Sequence, residues 1–235
     1  MDYKVAVFSY DFCHRKTMEI ITGLNSVGIK KVLVIGAPRV DLNNKAPNVL
    51  KTSISEKIIH PRYLCGQFGY DYRVCSHNNL KDIVNFVSLA KSNIGIISGA
   101  RILQKSIIDI FKYGIINYHP GPLPETSGLD SFYWMIKKNV RPRVTAHFIN
   151  QKVDEGELIE ECTVSVSSKD TIEIVQSNLY LAQLTLHKKI CLKISLNEPF
   201  KAKQIKRPSK NNPMTLYEKS LSIENFNNWL KKYSA

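Results

Sequence analysis

The chain is predicted to fold as an α/β domain around a mostly parallel sheet. Residues 4–8 and 31–35 are apolar runs with the length of buried strands. Between them, Met18, Ile21 and Leu24 recur at helical spacing. A strand, a helix and a second strand in this order favour parallel pairing. Of the 235 residues, 43% are hydrophobic, which suffices for one good core with a small appendage.

The same periodicities predict the other elements of the domain. Further strands are expected where short apolar or alternating runs occur, at residues 57–59, 93–98, 114–118, 143–150 and 158–166. Helices are expected where apolar residues recur every three or four positions, at residues 14–27, 79–90, 104–113, 130–138 and 170–194. Ser167 and Ser168 can cap the last helix, and Glu173 lies in its first turns. Residues 41–49 are predicted to be a loop.

The end of the chain is predicted to form a short extension. Residues 196–214 are rich in Pro, Lys and Asn and are expected to be irregular. Residues 222–233 are predicted as a short amphipathic helix with the apolar residues Phe226, Trp229 and Leu230. This face can pack on the main domain or on a second subunit, so the sequence is compatible with a homodimer. The predicted division is a main domain over residues 1–195 and an extension over residues 196–235.

Composition argues against several classes of protein. The five cysteines are odd in number and form no CxxC pair, so neither a disulfide framework nor a zinc site is expected. The chain starts directly with a strand-like run rather than a signal peptide, and no apolar run has the length of a membrane span. The net charge of +13 allows a polyanionic ligand, but scattered lysines on a solvated surface explain most of it. We therefore expect a cytoplasmic protein without a metal, and with neither nucleic acid nor a membrane as partner.

Ligands of such sheets bind beyond the carboxyl ends of the strands, so the loops at that edge form the candidate site. The first loop, residues 9–17, joins the first strand to the first helix. Backbone N–H groups at a helix start can hold a phosphate, and the side chains that would assist here are Ser9, Tyr10, His14, Arg15 and Lys16. The loop has no glycine-rich phosphate fingerprint, so an ordinary polar turn is an equal alternative.

The second loop, residues 98–103, follows another buried strand. Gly99 in this loop permits unusual backbone angles or the close approach of a ligand. From the residues alone, a plain strand-to-helix turn with a solvated Arg101 is the favoured interpretation.

Asn117 and His119 at the end of a predicted strand are a more specific signal. Alternation along the strand places both side chains on the same side of the sheet. The loop that follows is stiffened by Pro120, Pro122 and Pro124. A histidine can accept or relay a proton near neutral pH, and an asparagine amide can donate to a developing oxyanion.

Asp154 and His147 complete the set of candidates. A carboxylate in a turn-like segment is usually a turn former, but close to His119 it would orient or charge the imidazole. His147 lies in the middle of a predicted strand, where a structural, hydrogen-bonded role is favoured over catalysis.

Taken together, these motifs resemble a known family. Asn-Tyr-His-Pro-Gly-Pro-Leu-Pro at 117–124, Ser-Gly at 127–128, Val-Thr-Ala-His-Phe-Ile at 144–149 and Val-Asp-Glu-Gly at 153–156 are similar to the folate-dependent formyltransferases. This group includes glycinamide ribonucleotide transformylase, methionyl-tRNA formyltransferase and the sugar nucleotide N-formyltransferases. The resemblance covers roughly residues 93–175 well and the N-terminal part in outline. It implies a Rossmann-like, mostly parallel sheet of the formyltransferase fold.

The resemblance also implies roles for the candidate residues. Asn117, His119 and Asp154 occupy the catalytic positions, and the folate loop contains Gly99, Arg101, Ile102 and Leu103. An amine would attack the formyl carbon of N10-formyltetrahydrofolate while Asn117 stabilises the oxyanion. His119 would assist, either as proton acceptor or as a partner of the oxyanion. Asp154 would tune His119 and help to relay the proton to N10 of the folate, without a metal.

The acceptor amine is the least specified part of the implied reaction. Residues 9–17 depart from the glycine-rich phosphate cradle of the purine enzyme, and the forty or so residues after the long helix are too few for the C-terminal domain of the tRNA enzyme. A nucleotide-linked amino sugar is therefore favoured, with dTDP-4-amino-4,6-dideoxyglucose of bacterial O-antigen synthesis as the first choice. Formylation of phosphoribosylglycinamide is the alternative, and nucleic-acid binding, motivated by the charge, is a third hypothesis.

Overall fold

The computed structural model describes residues 1–40, 57–152, 154–206 and 211–234. Within these ranges, the strands are β1 (Val5–Tyr10), β2 (Val32–Ala37), β3 (Asp71–Val74), β4 (Ile94–Ile97), β5 (Ile115–His119), β6 (Arg143–Phe148), β7 (Glu157–Thr163) and β8 (Lys203–Gln204). The helices in the same ranges are α1 (Arg15–Ser26), α2 (Pro61–Phe68), α3 (Leu80–Ala90), α4 (Lys105–Ile108), α5 (Ser131–Lys137), α6 (Ile172–Ser195), α7 (Leu216–Glu224) and α8 (Phe226–Tyr233). The predicted loop at residues 41–49 lies outside the described residues.

The strands form one sheet in the order β3-β2-β1-β4-β5-β6-β7-β8. The five strands from β3 to β5 in this order are parallel, and β6, β7 and β8 continue the sheet by antiparallel pairing. The chain moves outward from β1 to β3 on one side and from β4 to β5 on the other. The crevice between the carboxyl ends of β1 and β4 is therefore the topological switch point at which such sheets bind ligands. The predicted α/β fold with a mostly parallel sheet is confirmed.

Helices cover both faces of the sheet, as the strand sequences require. In β1, Val5 and Val7 belong to one buried cluster, whereas Ala6 and Phe8 belong to the other. The first cluster is completed mainly by apolar residues of α1 and α6, and the second by residues of α3 and α4. Because both faces are buried, the parallel strands read as continuous apolar runs, which is why they could be recognised in the sequence.

The region between β2 and α3 differs from its prediction. Residues 57–59 have no regular structure, so the predicted strand there is wrong, and the third strand is β3. Helix α2 was not expected either: it begins at Pro61, whose fixed φ suits a first helical position, and the His60 ring accepts a hydrogen bond from the Arg62 amide. Strand β3 escaped notice because its residues are mostly exposed and two of its four are charged.

Two helix boundaries also differ from the predictions. Helix α4 ends at Ile108 because the chain continues in tight turns, with the Phe111 amide bonded to the Ile108 carbonyl, up to Gly114 at φ 77°. Helix α6 is capped by Thr171, whose hydroxyl accepts from the Ile174 amide at 3.3 Å, and not by the serines that precede it.

The C-terminal residues pack against the main body of the chain. The helix predicted at residues 222–233 is in fact two helices, and α7 begins earlier with a capping box formed by Thr215 and Glu218. Residues 203–204 were expected to be irregular but form β8. On α8, the rings of Phe226 and Trp229 lie 6.3 and 6.4 Å from that of Phe132, so this apolar face packs on the main domain. The division at residue 195 stays a prediction.

A buried histidine on α6 joins this helix to α1 and β5. The Nε2–H of His187 donates to the Ile20 carbonyl at 3.0 Å, so Nδ1 accepts from the Tyr118 hydroxyl at 2.9 Å. A side chain on Gly23 of α1 would come within 2.8 Å of this ring. Burial lowers the pKa of His187 to about 4. The imidazole is therefore a neutral, fully bonded part of the core.

The depressed pKa of His187 predicts a loss of stability in acid. The unfolded chain takes up this proton below an ordinary histidine pKa of about 6.5, whereas the folded chain resists protonation until about pH 4. This group alone should lower the free energy of unfolding by roughly 3 kcal/mol across that window. Urea unfolding as a function of pH tests this: His187→Gln should reduce the total fall in stability by about that amount, whereas Cys191→Ala, beside the same ring, should leave the fall unchanged. An unchanged pH slope in His187→Gln would contradict the assignment.

No helix within the described residues is long and apolar enough to cross a membrane.

Candidate active site

Asn117 and His119 lie on one side of β5, as predicted. The intervening Tyr118 points to the opposite face, into the larger buried cluster. Antiparallel pairing with β6 places Asn117 opposite His147 and His119 opposite Thr145. The register of β6 with β7 shifts between Ala146 and His147, a β-bulge of the kind that often re-aims a side chain next to a functional site.

The imidazole of His119 is buried and contacts the loop that follows β5. Its Nε2 lies 2.8 Å from the Thr126 carbonyl, 2.9 Å from the Ser131 hydroxyl and 3.2 Å from the Thr126 hydroxyl. A carbonyl can only accept, so Nε2 carries the proton in the neutral ring and Nδ1 carries the lone pair. That nitrogen faces the carboxylate of Asp154, with Oδ2 at 3.4 Å.

The electrostatic surroundings keep His119 neutral but ready for a proton. Burial lowers the pKa of His119, Asp154 and the Thr126 carbonyl oppose this effect, and the ammonium of Lys16 adds to it. A proton arriving at Nδ1 would form an imidazolium held between a carbonyl on one side and a carboxylate on the other. The His119 ring is therefore neutral in this arrangement, and the Asp154 carboxylate is placed so that it would stabilise the protonated form.

Asp154 lies in a turn that is bonded to the loop after β5. Its φ is 54°, in the left-handed region, and its Oδ2 accepts from the Gly128 amide at 2.7 Å. The side chain is only 9% exposed and also lies near His147, with Oδ1 3.6 Å from Nε2 of that ring. Asp154 thus joins the loop after β5 to both histidines.

His147 is buried and hydrogen-bonded, as expected, and it orients Asn117. Nδ2 of Asn117 donates to His147 Nε2 at 3.3 Å, so the His147 proton is on Nδ1, which donates to the Phe148 carbonyl. Burial lowers the pKa of His147 to about 4, so this ring stays neutral. Since only one N–H of the half-buried Asn117 amide is used by His147, the second can donate to a ligand.

The ammonium of Lys16 is buried inside the protein instead of facing outward from the loop at residues 9–17. Its Nζ donates to the Tyr118 carbonyl at 3.1 Å and to Gln183 Oε1 at 3.2 Å. Burial lowers the pKa of this amine to about 8. The ammonium thus lies between α1, β5 and α6, and its effect on the site is to lower the pKa of the neighbouring histidines.

The structure brings the loops at residues 9–17 and 98–103 together at the switch point. The Tyr10 hydroxyl donates to the Ala100 carbonyl at 3.4 Å, and a Cβ on Gly99 would come within 2.7 Å of the Tyr10 ring. His14 continues the contact through Thr17, whose hydroxyl lies 2.9 Å from His14 Nδ1 and 3.1 Å from Ser98 Oγ. The absence of a side chain at Gly99 is what permits this approach.

The side chains of these two loops face different directions. Ile102 is 72% exposed and Arg101 is also exposed, whereas Leu103 is buried in the smaller core cluster. Leu103 therefore offers a ligand only its backbone. In the first loop, Ser9 is buried against the Ile35 carbonyl, and the guanidinium of Arg15 stacks over the Tyr180 ring at 4.8 Å.

The other histidines are engaged with the protein itself. His77 Nε2 lies 3.1 Å from the Ile35 carbonyl, and His60 caps α2. Across the part of the chain that the structure describes, no three His, Cys, Asp or Glu side chains are arranged to hold a metal ion.

Sequence reasoning missed the residues that support His119 and Asp154. Thr126 and Gly128, in the proline-containing loop between β5 and α5, and Ser131, the first residue of α5, provide the contacts just described. A backbone carbonyl and a backbone amide have no side-chain signature. The hint in the sequence was the Ser-Gly pair at 127–128, which marks a turn without indicating its partner.

Gly156 is predicted to be indispensable to the Asp154 turn. A Cβ at this position would lie 1.6 Å from the Phe148 carbonyl oxygen, so Gly156→Ala must displace the backbone beside Asp154. We expect the free energy of unfolding to fall by about 3 kcal/mol, measured by urea denaturation. Gly66→Ala in α2 is the matched control, since a Cβ there meets nothing within 4 Å and alanine favours a helix. Equal stabilities for the two variants would contradict this reading.

Comparison with known proteins identifies the family to which the chain belongs. Residues 42–185 match the family model described as formyl transferase. The bifunctional polymyxin resistance protein ArnA of Wigglesworthia glossinidia brevipalpis is 23% identical over 187 residues, which are 78% of this chain and 25% of that protein. The chain thus spans about a quarter of the length of this curated relative.

Solved structures show the same fold at low sequence identity. An N-formyltransferase from Helicobacter canadensis, in complex with folinic acid and dTDP-3-aminofucose, superimposes with a TM-score of 0.61 at 16% identity, over 95% of this chain and 80% of that one. Phosphoribosylglycinamide formyltransferase from Anaplasma phagocytophilum gives a TM-score of 0.60 at 19% identity, over 84% and 89% of the two chains. Since the family model matches more than half of the chain, this protein belongs to the folate-dependent formyl transferase family.

Proposed function

We propose that this protein transfers a formyl group from N10-formyltetrahydrofolate to the amine of a nucleotide-linked amino sugar. The observation that carries the proposal is the cluster in which the unprotonated Nδ1 of His119 faces the Asp154 carboxylate, with the Asn117 amide held nearby by His147. Membership of the formyl transferase family supports the type of reaction. Residues 1–195 would carry the chemistry.

The bound folate would supply the formyl group that is transferred. Asn117 donates its second N–H to the formyl oxygen as negative charge develops there during attack by the amine. His119 Nδ1 takes the proton that the attacking nitrogen loses, and Asp154 stabilises the resulting imidazolium. The proton then passes to N10 of the folate as the carbon–N10 bond breaks. The products are an N-formyl sugar and tetrahydrofolate.

The loop at residues 98–103 fits a folate in its chemistry. The exposed apolar side chain of Ile102 lies beside the exposed guanidinium of Arg101. This combination suits a ligand that has a flat ring at one end and carboxylates at the other. Gly99 and the Leu103 backbone would complete this side of the site.

We propose that residues 9–17 bind the phosphate groups of the acceptor. His14 and Arg15 lie at the start of α1, where backbone N–H groups can bind a phosphate, and both side chains also contact the protein, at Thr17 and Tyr180. Ser9, Tyr10 and Lys16 would contribute through the packing of the loop, since their side chains bond to the Ile35, Ala100 and Tyr118 carbonyls. A cytoplasmic location fits the five unpaired cysteines.

The favoured acceptor is dTDP-4-amino-4,6-dideoxyglucose, as used for O-antigen. The N-formyltransferase structure with bound dTDP-3-aminofucose supports a dTDP-linked amino sugar. Phosphoribosylglycinamide is the second candidate, since a formyltransferase of that specificity has the same fold at a similar TM-score.

Direct assay separates these acceptors. The protein is incubated with N10-formyltetrahydrofolate and either amino-sugar nucleotides or phosphoribosylglycinamide, and products are identified by mass. We expect a product heavier by one formyl group with an amino-sugar nucleotide. Turnover of phosphoribosylglycinamide alone would transfer the assignment to purine synthesis, and salt-sensitive RNA binding without any formyl transfer would favour the nucleic-acid hypothesis.

A further inference from the structure

We propose that the C-terminal extension, residues 196–235, positions the catalytic pair His119 and Asp154 through Asn211 and Lys219. These two residues hold the proline loop, defined here as residues 120–131, which supplies the partners of both catalytic side chains. The proposal rests on the function proposed above for His119 and Asp154. It adds two positioning residues, which act on the site through different parts of the loop.

The proline loop determines the orientation of the catalytic groups through its backbone. The Thr126 carbonyl accepts from His119 Nε2 at 2.8 Å, which leaves the lone pair on Nδ1. The Gly128 amide donates to Asp154 Oδ2 at 2.7 Å. A movement of this loop would therefore release the base and its carboxylate together.

Asn211 holds the loop on both sides of Thr126. Its Nδ2 donates to the Glu125 carbonyl at 2.9 Å and to the Ser127 carbonyl at 3.0 Å. Its Oδ1 accepts from Lys138 Nζ at 2.6 Å, and the same ammonium donates to the Glu125 carbonyl at 2.8 Å. Because the Asn211 side chain is buried, these bonds are shielded from water and their loss leaves carbonyls unpaired.

Lys219 fixes the other end of the loop. Its Nζ lies 2.8 Å from Asp130 Oδ1, and the lysine is only 2% exposed. The second oxygen of Asp130 accepts from the Met214 amide at 3.0 Å, so both oxygens bind the extension. Asp130 directly precedes Ser131, whose hydroxyl lies 2.9 Å from His119 Nε2.

These contacts make the geometry of the site depend on the extension. Glu125, Ser127 and Asp130 have no contact with the catalytic carboxylate or imidazole, yet each is next in sequence to a residue that does. Gly128 lies at φ 92° with its Cα against the Asn211 carbonyl, where a Cβ would come within 3.2 Å. The bonds of Asn211 and Lys219 are thus transmitted to His119 and Asp154 over one peptide unit.

Asn211→Asp is the variant that tests this most sharply. It keeps the shape of the side chain and the acceptor for Lys138, but it replaces the donor to Glu125 and Ser127 with an oxygen. Lys137→Ala is the matched control, because Lys137 forms the exposed ion pair with Glu218 that joins α5 to α7 without touching the loop. Lys138→Met is a milder second variant, which removes one donor to Glu125 and keeps the Asn211 amide.

Two measurements on the full chain need no substrate. Hydrogen exchange should show the Gly128 amide exchanging roughly tenfold faster or more in Asn211→Asp than in the unmodified protein. NMR titration should show a changed pKa of His119, since burial, the Asp154 carboxylate and the Thr126 carbonyl together determine it. Lys138→Met should change the Gly128 exchange rate and the His119 pKa in the same directions as Asn211→Asp, but by less, and Lys137→Ala should change neither quantity.

Formyl transfer gives the third readout, with kcat of Asn211→Asp falling more than KM rises. Unchanged Gly128 exchange and His119 titration in a folded Asn211→Asp protein would overturn the positioning role. If Asn211→Asp does not fold, unchanged Gly128 exchange and His119 titration in Lys138→Met would overturn the positioning role. Absence of formyl transfer by the unmodified protein would instead count against the proposed function, because exchange and titration are measured without it.

Discussion

Replacement of Asn117 by Ala is expected to lower kcat for formyl transfer by about 100-fold or more. The half-buried amide uses one N–H for His147, which leaves the other for a ligand, and it is the side-chain donor that β5 presents beside His119. Loss of a donor to a developing oxyanion affects the transition state more than the bound substrate. KM for the acceptor should therefore change much less than kcat, in steady-state assays at saturating folate.

The matched control is Asn85→Ala on the exposed face of α3, which removes the same amide far from β5 and should leave kcat unchanged. Thermal unfolding of Asn117→Ala should stay close to that of the unmodified protein, because the hydrogen bond that this amide makes within the described residues is a single one, to His147. A folded Asn117→Ala enzyme with near-normal kcat would show that the oxyanion is stabilised by another group.

The chemically distinctive parts of the site could be predicted because side-chain identity carries them. Alternation placed Asn117 and His119 on one side of a strand, and the strand is observed where the apolar run indicated. The apolar runs of β1, β2 and β4 are similarly diagnostic, since both faces of a parallel sheet are buried. These features depend on the spacing of residues that are close in sequence, which can be seen in a single sequence.

What could not be predicted depends on backbone groups and on distant parts of the chain. The carbonyl of Thr126 and the amide of Gly128 are chemically identical to any other peptide group, so nothing in the sequence marks them as partners of His119 and Asp154. The inward direction of Lys16 is another example. A lysine at a helix start suggests a phosphate, but here the carbonyl of Tyr118, 102 positions later, receives it.

The C-terminal residues illustrate a third limit. A two-residue strand such as β8 has no periodicity, and a helix of eight or nine residues is hard to separate from its neighbour when only a single Asn lies between them. The buried pair of Lys219 and Asp130 could not be predicted either, since charged residues are expected at the surface unless a partner is known.

Asp154→Asn is expected to lower kcat by about 100-fold and to move the acidic limb of its pH profile to lower pH. Asparagine keeps the shape of the side chain, tolerates the left-handed φ of 54° and can still accept from the Gly128 amide, so the change removes mainly a charge. The sign of the shift follows from the pKa of His119, which the carboxylate raises. Without it, the imidazolium is less stable, the pKa falls further, and the base stays neutral to lower pH.

The measurement is kcat as a function of pH, combined with NMR titration of His119 in both proteins. Glu155→Gln is the matched control, because it removes the neighbouring carboxylate of the same turn, whose partner is Lys152 at 3.2 Å, and should change neither limb nor rate. An acidic limb that stays in place or moves to higher pH in Asp154→Asn would mean that His119 is not the group whose protonation stops the reaction. A normal rate with a shifted limb would mean that Asp154 tunes the base but that stabilising its protonated form does not limit formyl transfer.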